Sequence, residues 1–272
     1  MTFQQKLDAI VVKNNSLVCV GLDSDIKKLP KHVESEKYPQ FSFNKAVIDA
    51  THDLVCAYKP NSAFYEARGV DGIRELKMTC DYLHTKYPNI PIILDAKRAD
   101  IGSTNEGYVT YAFDYLGVDA ITLHPYLGRE AIQPFLNRKD KGCIILCRTS
   151  NPGAGEFQDL TSSAEPLYKV VARKVVSEWN KNDNCLLVVG ATYPEELAEV
   201  RKLAEDMTFL VPGIGAQGGD IEKTVKSGLN STKAGMIINS SRGIIFASAE
   251  KDFEKRARQE ATLLKDQINQ CR

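Results

Sequence analysis

Eight short apolar runs recur along the chain, and segments with helical patterning separate them. The runs are Leu17–Asp23, Ala57–Asn61, Pro91–Lys97, Ala120–Pro125, Gly142–Ser150, Cys185–Thr192, Phe209–Gly215 and Gly235–Ser241. Most are continuous rather than alternating, as expected for parallel strands covered on both faces. Strand followed by helix, eight times over, predicts a (β/α)8 TIM barrel of the α/β class. An open doubly wound sheet competes, but eight units in 272 residues fit closure better. With 43% hydrophobic residues the chain can fill one large core, and no linker interrupts it, so residues 1–272 read as a single domain. Phe3, Leu7, Ile10 and Val11 stand at helical spacing, and that N-terminal helix is expected to cover the barrel floor.

The intervening segments carry their own signals. Ser103 and Glu106 have capping-box spacing, and Gly117 closes that segment. Pro194 stands near a helix start with acidic residues in the first turn. In the segment from Ser162 to Asn180, Leu167, Val170, Val171 and Val175 form one apolar stripe, with Lys174 out of pattern.

Thirty-five basic residues balance 35 acidic ones, so nothing global favours nucleic acid or an anionic membrane; anion binding has to be local. Residues 1–15 lack the apolar core of a signal peptide, and no run approaches the roughly 18 apolar residues of a membrane span. Seven irregularly spaced cysteines, several inside apolar runs, read as reduced thiols of a cytosolic (cytoplasmic) protein. There is no CxxC and no histidine cluster with metal-ligand spacing.

In such a barrel the site forms where strands end and the following loops begin. Asp23, Lys59, Asp95, Lys97, His124, Thr149, Ser150, Gly213, Gly215, Ser240, Ser241 and Arg242 fall at those ends. Each has an ordinary alternative: Asp23 could cap a turn, and Lys59 could snorkel to solvent. Two lysines and two aspartates converging on one mouth are harder to explain that way.

The densest stretch is Leu94–Thr104, LDAKRADIGST. Alternation along the third strand puts Asp95 and Lys97 on one face, with Asp100 on the turn beyond. Lys97 is expected between two carboxylates, which favour the ammonium form. Such a lysine suits a reaction that develops negative charge and needs a proton, rather than a Schiff base. The three charges should titrate as a coupled unit.

Two loops complete the pattern. VPGIGAQGGD, Val211–Asp220, crowds glycines after the seventh strand, where backbone amides can approach an anion. Arg242 after the eighth strand is available for phosphate. TSNPGAGEFQDL, Thr149–Leu160, is either a connector or a lid over the mouth. His124 has no evident acidic orienter, so a structural or pocket-lining role is expected of it rather than that of a base. His32, His52 and His84 read as surface residues.

These residues resemble the orotidine monophosphate decarboxylases, specifically the bacterial branch with a DAKR signature, over nearly the whole chain. The stretch Asp95–Thr104 fits D-x-K-x-x-D-I-x-x-T. GLDSD at Asp23, YKPNSAFYE at Lys59, TSNPGAGEFQDL, VPGIGAQGGD and SRG match in order. The resemblance implies decarboxylation of orotidine 5'-monophosphate to uridine 5'-monophosphate. It makes Lys97 the proton donor to C6, within a network of Asp95 and Asp100. It further implies that Asp23, Lys59 and Thr104 hold ribose hydroxyls or order the network. Ser150 would read the pyrimidine amide, and Gln217 and Arg242 would hold the phosphate. It implies a homodimer with shared sites, Asp100 and Thr104 reaching into the partner's, and no metal or organic cofactor. Two positions depart from the pattern. Glycine is expected at Ala99, where a positive φ would strain alanine, and a smaller amide residue is expected at His124.

Two rivals share parts of this pattern. One is a metal-dependent sugar-phosphate decarboxylase or aldolase of a related barrel family. The other is a nucleotide-binding or phosphate-binding protein without chemistry.

Overall fold

The continuous apolar runs become parallel strands whose residues are almost all buried. A computed structural model describes residues 1–162, 164–214 and 220–272. The strands are β1 (Val18–Gly21), β2 (Ala57–Lys59), β3 (Ile93–Arg98) and β4 (Ala120–Leu123). They continue with β5 (Gly142–Arg148), β6 (Cys185–Val189), β7 (Phe209–Pro212) and β8 (Met236–Ser240). Hydrogen-bonded neighbours run β2-β1-β8-β7-β6-β5-β4-β3, all parallel. Bridges Tyr58↔Ile92 and Asn61↔Asp95 join β2 to β3 and close the ring. The (β/α)8 barrel is therefore as expected, and the polar run ends fall in the last residues of the strands, as at Lys59, Asp95 and Lys97, or just beyond them, as at Asp23 and Ser241.

The N-terminal helix, Phe3–Asn14, begins at a capping box of Thr2 and Gln5. It buries Phe3, Leu7 and Ile10, while Val11 packs half-buried against the core. A methyl on Gly142 at the start of β5 would lie 2.8 Å from the Phe3 ring, so the ring sits directly against the barrel's end. Lys6 pairs with Asp119 at 2.9 Å, and that carboxylate also accepts from the Ile92 amide. The helix is thus pinned to the floor, leaving the opposite mouth open.

Three local expectations are corrected. The helix after β3 spans Gly102–Val109 without a side-chain cap, so the Ser103–Glu106 box does not form. Asn105 takes that role: its Oδ1 accepts from the Asp100 amide at 2.8 Å, and its amide donates back to the Asp100 carbonyl. Beyond Val109 the chain continues as a π-helical turn, Thr110–Tyr115, before Gly117 stops it at φ +75°. After β5, the segment read as helix from Ser162 first makes a small antiparallel hairpin, Thr161–Ser162 against Glu165–Pro166, and becomes helical only at Leu167. The buried face of that helix is Tyr168, Ala172, Val175 and Trp179; Leu167, Val170 and Val171 flank it half-buried. Trp179 and Tyr168 are the larger apolar surfaces, and they turn the helix slightly from the aliphatic stripe.

Candidate active site

Asp95 is the hub of the open mouth. Its Oδ2 accepts from Lys59 Nζ at 3.0 Å and Asn61 Nδ2 at 3.3 Å. Its Oδ1 accepts from Lys97 Nζ at 2.5 Å and Thr122 Oγ1 at 2.9 Å. Burial opposes ionisation, but Lys59, Lys97 and their hydrogen bonds hold the Asp95 carboxyl well below the usual carboxylate range. Burial likewise disfavours the Lys59 ammonium, yet Asp95 and then Asp23 hold its pKa above the ordinary lysine range.

Asp95 and Lys97 meet, as alternation along β3 suggested, but the backbone between them is not regular. From Leu94 to Arg98, β3 takes four steps while its partner β4 takes two, from Ile121 to Leu123. Within this bulge Lys97 adopts φ +47°, the left-handed region. Ala99 follows at φ +155°, so the positive φ suspected at this non-glycine position is present.

Around the hub lies a cavity of about 490 Å³, the size of a small-ligand site. Asp23, Lys59, Asn61, Asp95, Lys97 and Thr122 line one wall, and Thr149, Ser150 and Gln158 another. Gly213, Asn239, Ser241 and Arg242 complete it. Three cations stand against two carboxylates, so the cavity's charge suits an anion. Asp23 Oδ1 and Asn239 Oδ1 are buried without a hydrogen-bond partner among the described residues. Acceptors buried in this way are costly, and in a cavity wall they are suited to a ligand's hydroxyl or amide donors.

A family model described as the orotidine 5'-phosphate decarboxylase / HUMPS family matches residues 16–256. An orotidine 5'-phosphate decarboxylase of Cellvibrio japonicus is 50% identical over the full length of both chains. A solved structure of the Leishmania donovani OMP decarboxylase superposes with a TM-score of 0.87 at 37% identity, covering 100% of this chain and 98% of that one. The Leishmania donovani UMP synthase structure gives a TM-score of 0.88 at 39% identity; the match covers 99% of this chain and 56% of that longer one. The chain belongs to the orotidine 5'-phosphate decarboxylase family.

Of the residues that the family motifs singled out, Asp23, Lys59, Asp95, Lys97, Ser150 and Arg242 line the one cavity. Asp100 and Thr104 do not. Asp100 Oδ1 accepts from the Ile101 amide at 2.8 Å, and Thr104 is exposed on the helix behind. Among the described residues Lys97 pairs with Asp95 alone, not with two carboxylates of its own chain. Gln217, with Gly215, Gly218 and Gly219, lies outside the described residues.

The strand-5 loop carries family residue Ser150 on a firm footing. Gln158 Oε1 accepts from the Thr149 amide and its Nε2 donates to Thr149 Oγ1, both at 2.8 Å. Arg148 Nη1 donates to the same Oε1 at 3.3 Å, and its guanidinium lies 4.1 Å from the Tyr193 ring centre. Ser150 packs so closely on Gly190 that a Cβ there would stand 2.9 Å from the Ser150 backbone. His124 does not line the cavity; its Nδ1 accepts from the Tyr126 amide at 3.3 Å, a turn contact.

Sequence reasoning missed Asn61, Thr122, Gln158 and Asn239. Asn61 stands two residues after Lys59 at a strand end, and Thr122 and Asn239 are polar residues inside apolar runs. Those were signals that could have found them. Gln158 gave none, because its partner, Thr149, lies across a loop of unreadable geometry.

Among the described residues no three His, Cys, Asp or Glu side chains group to hold a metal ion, and no helix is long and apolar enough to cross a membrane.

Proposed function

We propose that this chain converts orotidine 5'-monophosphate to uridine 5'-monophosphate and carbon dioxide in the cavity around Asp95, with Lys97 as proton donor. The observation that carries the reading is a buried carboxylate held between Lys59 and Lys97 at the mouth of a barrel of this family.

The chemistry sets the demand. Breaking the bond from C6 to its carboxylate leaves an electron pair in an in-plane orbital that the pyrimidine delocalises poorly. Preorganised positive charge has to stabilise it. The Lys97 ammonium supplies that charge, then transfers a proton to C6; the amine left behind regains a proton from solvent. Asp95 holds Lys97 in place and disfavours a second carboxylate beside it. Asp23 and Lys59 suit the ribose hydroxyls, Ser150 the pyrimidine amide, and Arg242, together with Gln217, the phosphate. The phosphate lies far from the bond that breaks, and its binding energy is used to close the site over the reacting ring.

The site is shared between two copies in this reading. Asp100 and Thr104 do not line their own cavity, and Ile101 between them, like Tyr126 and Leu127 on the loop after β4, is exposed. These apolar side chains suit a homodimer interface that carries Asp100 and Thr104 to the partner's Lys97. No cofactor is required by these steps. All seven cysteines are unpaired and six are buried, which supports a reducing, cytoplasmic setting.

The ultraviolet absorbance of orotidine 5'-monophosphate tests the reading directly. The spectrum should shift to that of the uridine nucleotide, undiminished in EDTA, and far more slowly with the phosphate-free nucleoside. No spectral change would falsify the proposal, and loss of activity in EDTA would favour a metal-dependent barrel enzyme.

A further inference from the structure

We infer that Thr122 is the positioning residue that sets the geometry of the Asp95–Lys97 pair. Thr122 stands in β4, is 1% exposed and lines the cavity. Its Oγ1 accepts from the Ala96 amide at 3.0 Å and the Lys97 amide at 2.9 Å. The same hydroxyl donates to Asp95 Oδ1 at 2.9 Å. One proton and two lone pairs are all that a hydroxyl has, so these three bonds use its full capacity.

The two accepted bonds come from neighbouring residues. In a regular strand successive amides point to opposite edges, so they cannot converge on one oxygen. Here they do, at the bulge where Lys97 takes φ +47°. A non-glycine residue persists in that region only when its surroundings enforce it. The Thr122 hydroxyl is placed to do so from the facing strand. The turn it holds brings Lys97 Nζ back to within 2.5 Å of Asp95 Oδ1, the very oxygen that Thr122 also fixes. A single side chain thereby clamps the carboxylate directly and the lysine through its backbone, without touching a reacting atom. A valine of the same shape would fill the space and make none of these bonds.

This inference rests on the roles given above to Lys97 and Asp95, so the experiment includes Lys97→Ala. Steady-state kinetics with orotidine 5'-monophosphate are compared for wild type, Thr122→Val, Thr122→Ser and Lys97→Ala, with folding checked by circular dichroism. Thr122→Val should lower kcat by more than about tenfold, as a displacement near 1 Å at a reacting group can. KM should stay within about threefold, and Thr122→Ser, which keeps the hydroxyl, should recover most of the loss. Should Thr122→Val not fold, Thr122→Ala is read against the same thresholds. A smaller loss in kcat, a loss carried by KM alone, or no recovery in Thr122→Ser overturns the inference. A fully active Lys97→Ala instead overturns the mechanism beneath it, and the two failures are told apart.

Discussion

Lys59 Nζ lies 3.0 Å from Asp95 Oδ2, and the two side chains are 4% and 11% exposed. A buried pair of this kind offers little net stability, because desolvating both charges offsets most of their attraction. Its value is positional: it presents a fixed carboxylate to Lys97, whose side chain is half exposed to the cavity.

Removing the hub should therefore be expensive. Asp95→Asn leaves Lys59 buried without the carboxylate it is hydrogen-bonded to, and unfolding stability at neutral pH should fall by about 3–5 kcal/mol. The pH dependence has a definite sign. Asp95 is held below its unfolded value of about 3.9, so its contribution is present above about pH 4 and is lost as pH falls through the folded value. Lys59 is held above its unfolded value of about 10.4, so its contribution is present below about pH 10 and is lost as pH rises through the folded value. Urea midpoints across this range should show a broad plateau in the wild type. In Asp95→Asn they should be lower on the plateau and less steep on the acid side. Equal midpoints at pH 7 would remove the hub from the stability argument.

The barrel was legible because parallel strands covered on both faces demand unbroken apolar runs, as at Cys185–Val189 and residues 209–211. The site was legible for a related reason: charges such as Lys59 and Asp95 have no cause to end an apolar run unless they face one mouth. What sequence could not supply was the backbone at Lys97. Its left-handed φ depends on a hydroxyl from β4, twenty-five residues away, and no local pattern announces that. The hairpin after β5 and the π-helical turn at Thr110–Tyr115 were hidden likewise, since no spacing of apolar residues sets them apart from the helices expected there.

Ala99 offers a test of strain beside the site. At φ +155° it lies in a region that essentially only glycine occupies freely, and it is buried. Ala99→Gly removes a penalty of about 1–3 kcal/mol at an entropic cost of about 0.5–1 kcal/mol. A net gain near 1 kcal/mol should raise Tm by about 2–4 °C for a chain of this size, with turnover retained. A lower Tm by calorimetry would show that the turn bears no strain that glycine relieves.

Gln158 ties the strand-5 loop back to Thr149 through both ends of its amide, and Ser150 is the next residue along. Gln158→Leu keeps the bulk and breaks both ties. KM for orotidine 5'-monophosphate should rise by about tenfold, equivalent to the roughly 1.4 kcal/mol expected of lost positioning bonds. Global stability should change by less than about 1 kcal/mol, because the loop is at the surface. Isothermal titration with the product nucleotide separates the effects: unchanged affinity would mean that the loop holds its place without Gln158.

Asp100 does not line its own cavity and accepts from the Ile101 amide, and Thr104 is exposed one helical turn on. If both serve a partner's site, two inactive chains can rescue each other. Lys97→Ala lacks the proton donor but carries a sound Asp100; Asp100→Asn has the reverse defect. In a heterodimer one site combines both defects and the other has neither. Random exchange of equal amounts makes half of the dimers mixed, so activity should return to about a quarter of the wild-type value. Differently tagged chains verify the exchange. With mixed dimers present and no activity recovered, Asp100 would have to act within its own subunit, and its orientation toward the Ile101 amide would have to change when substrate binds.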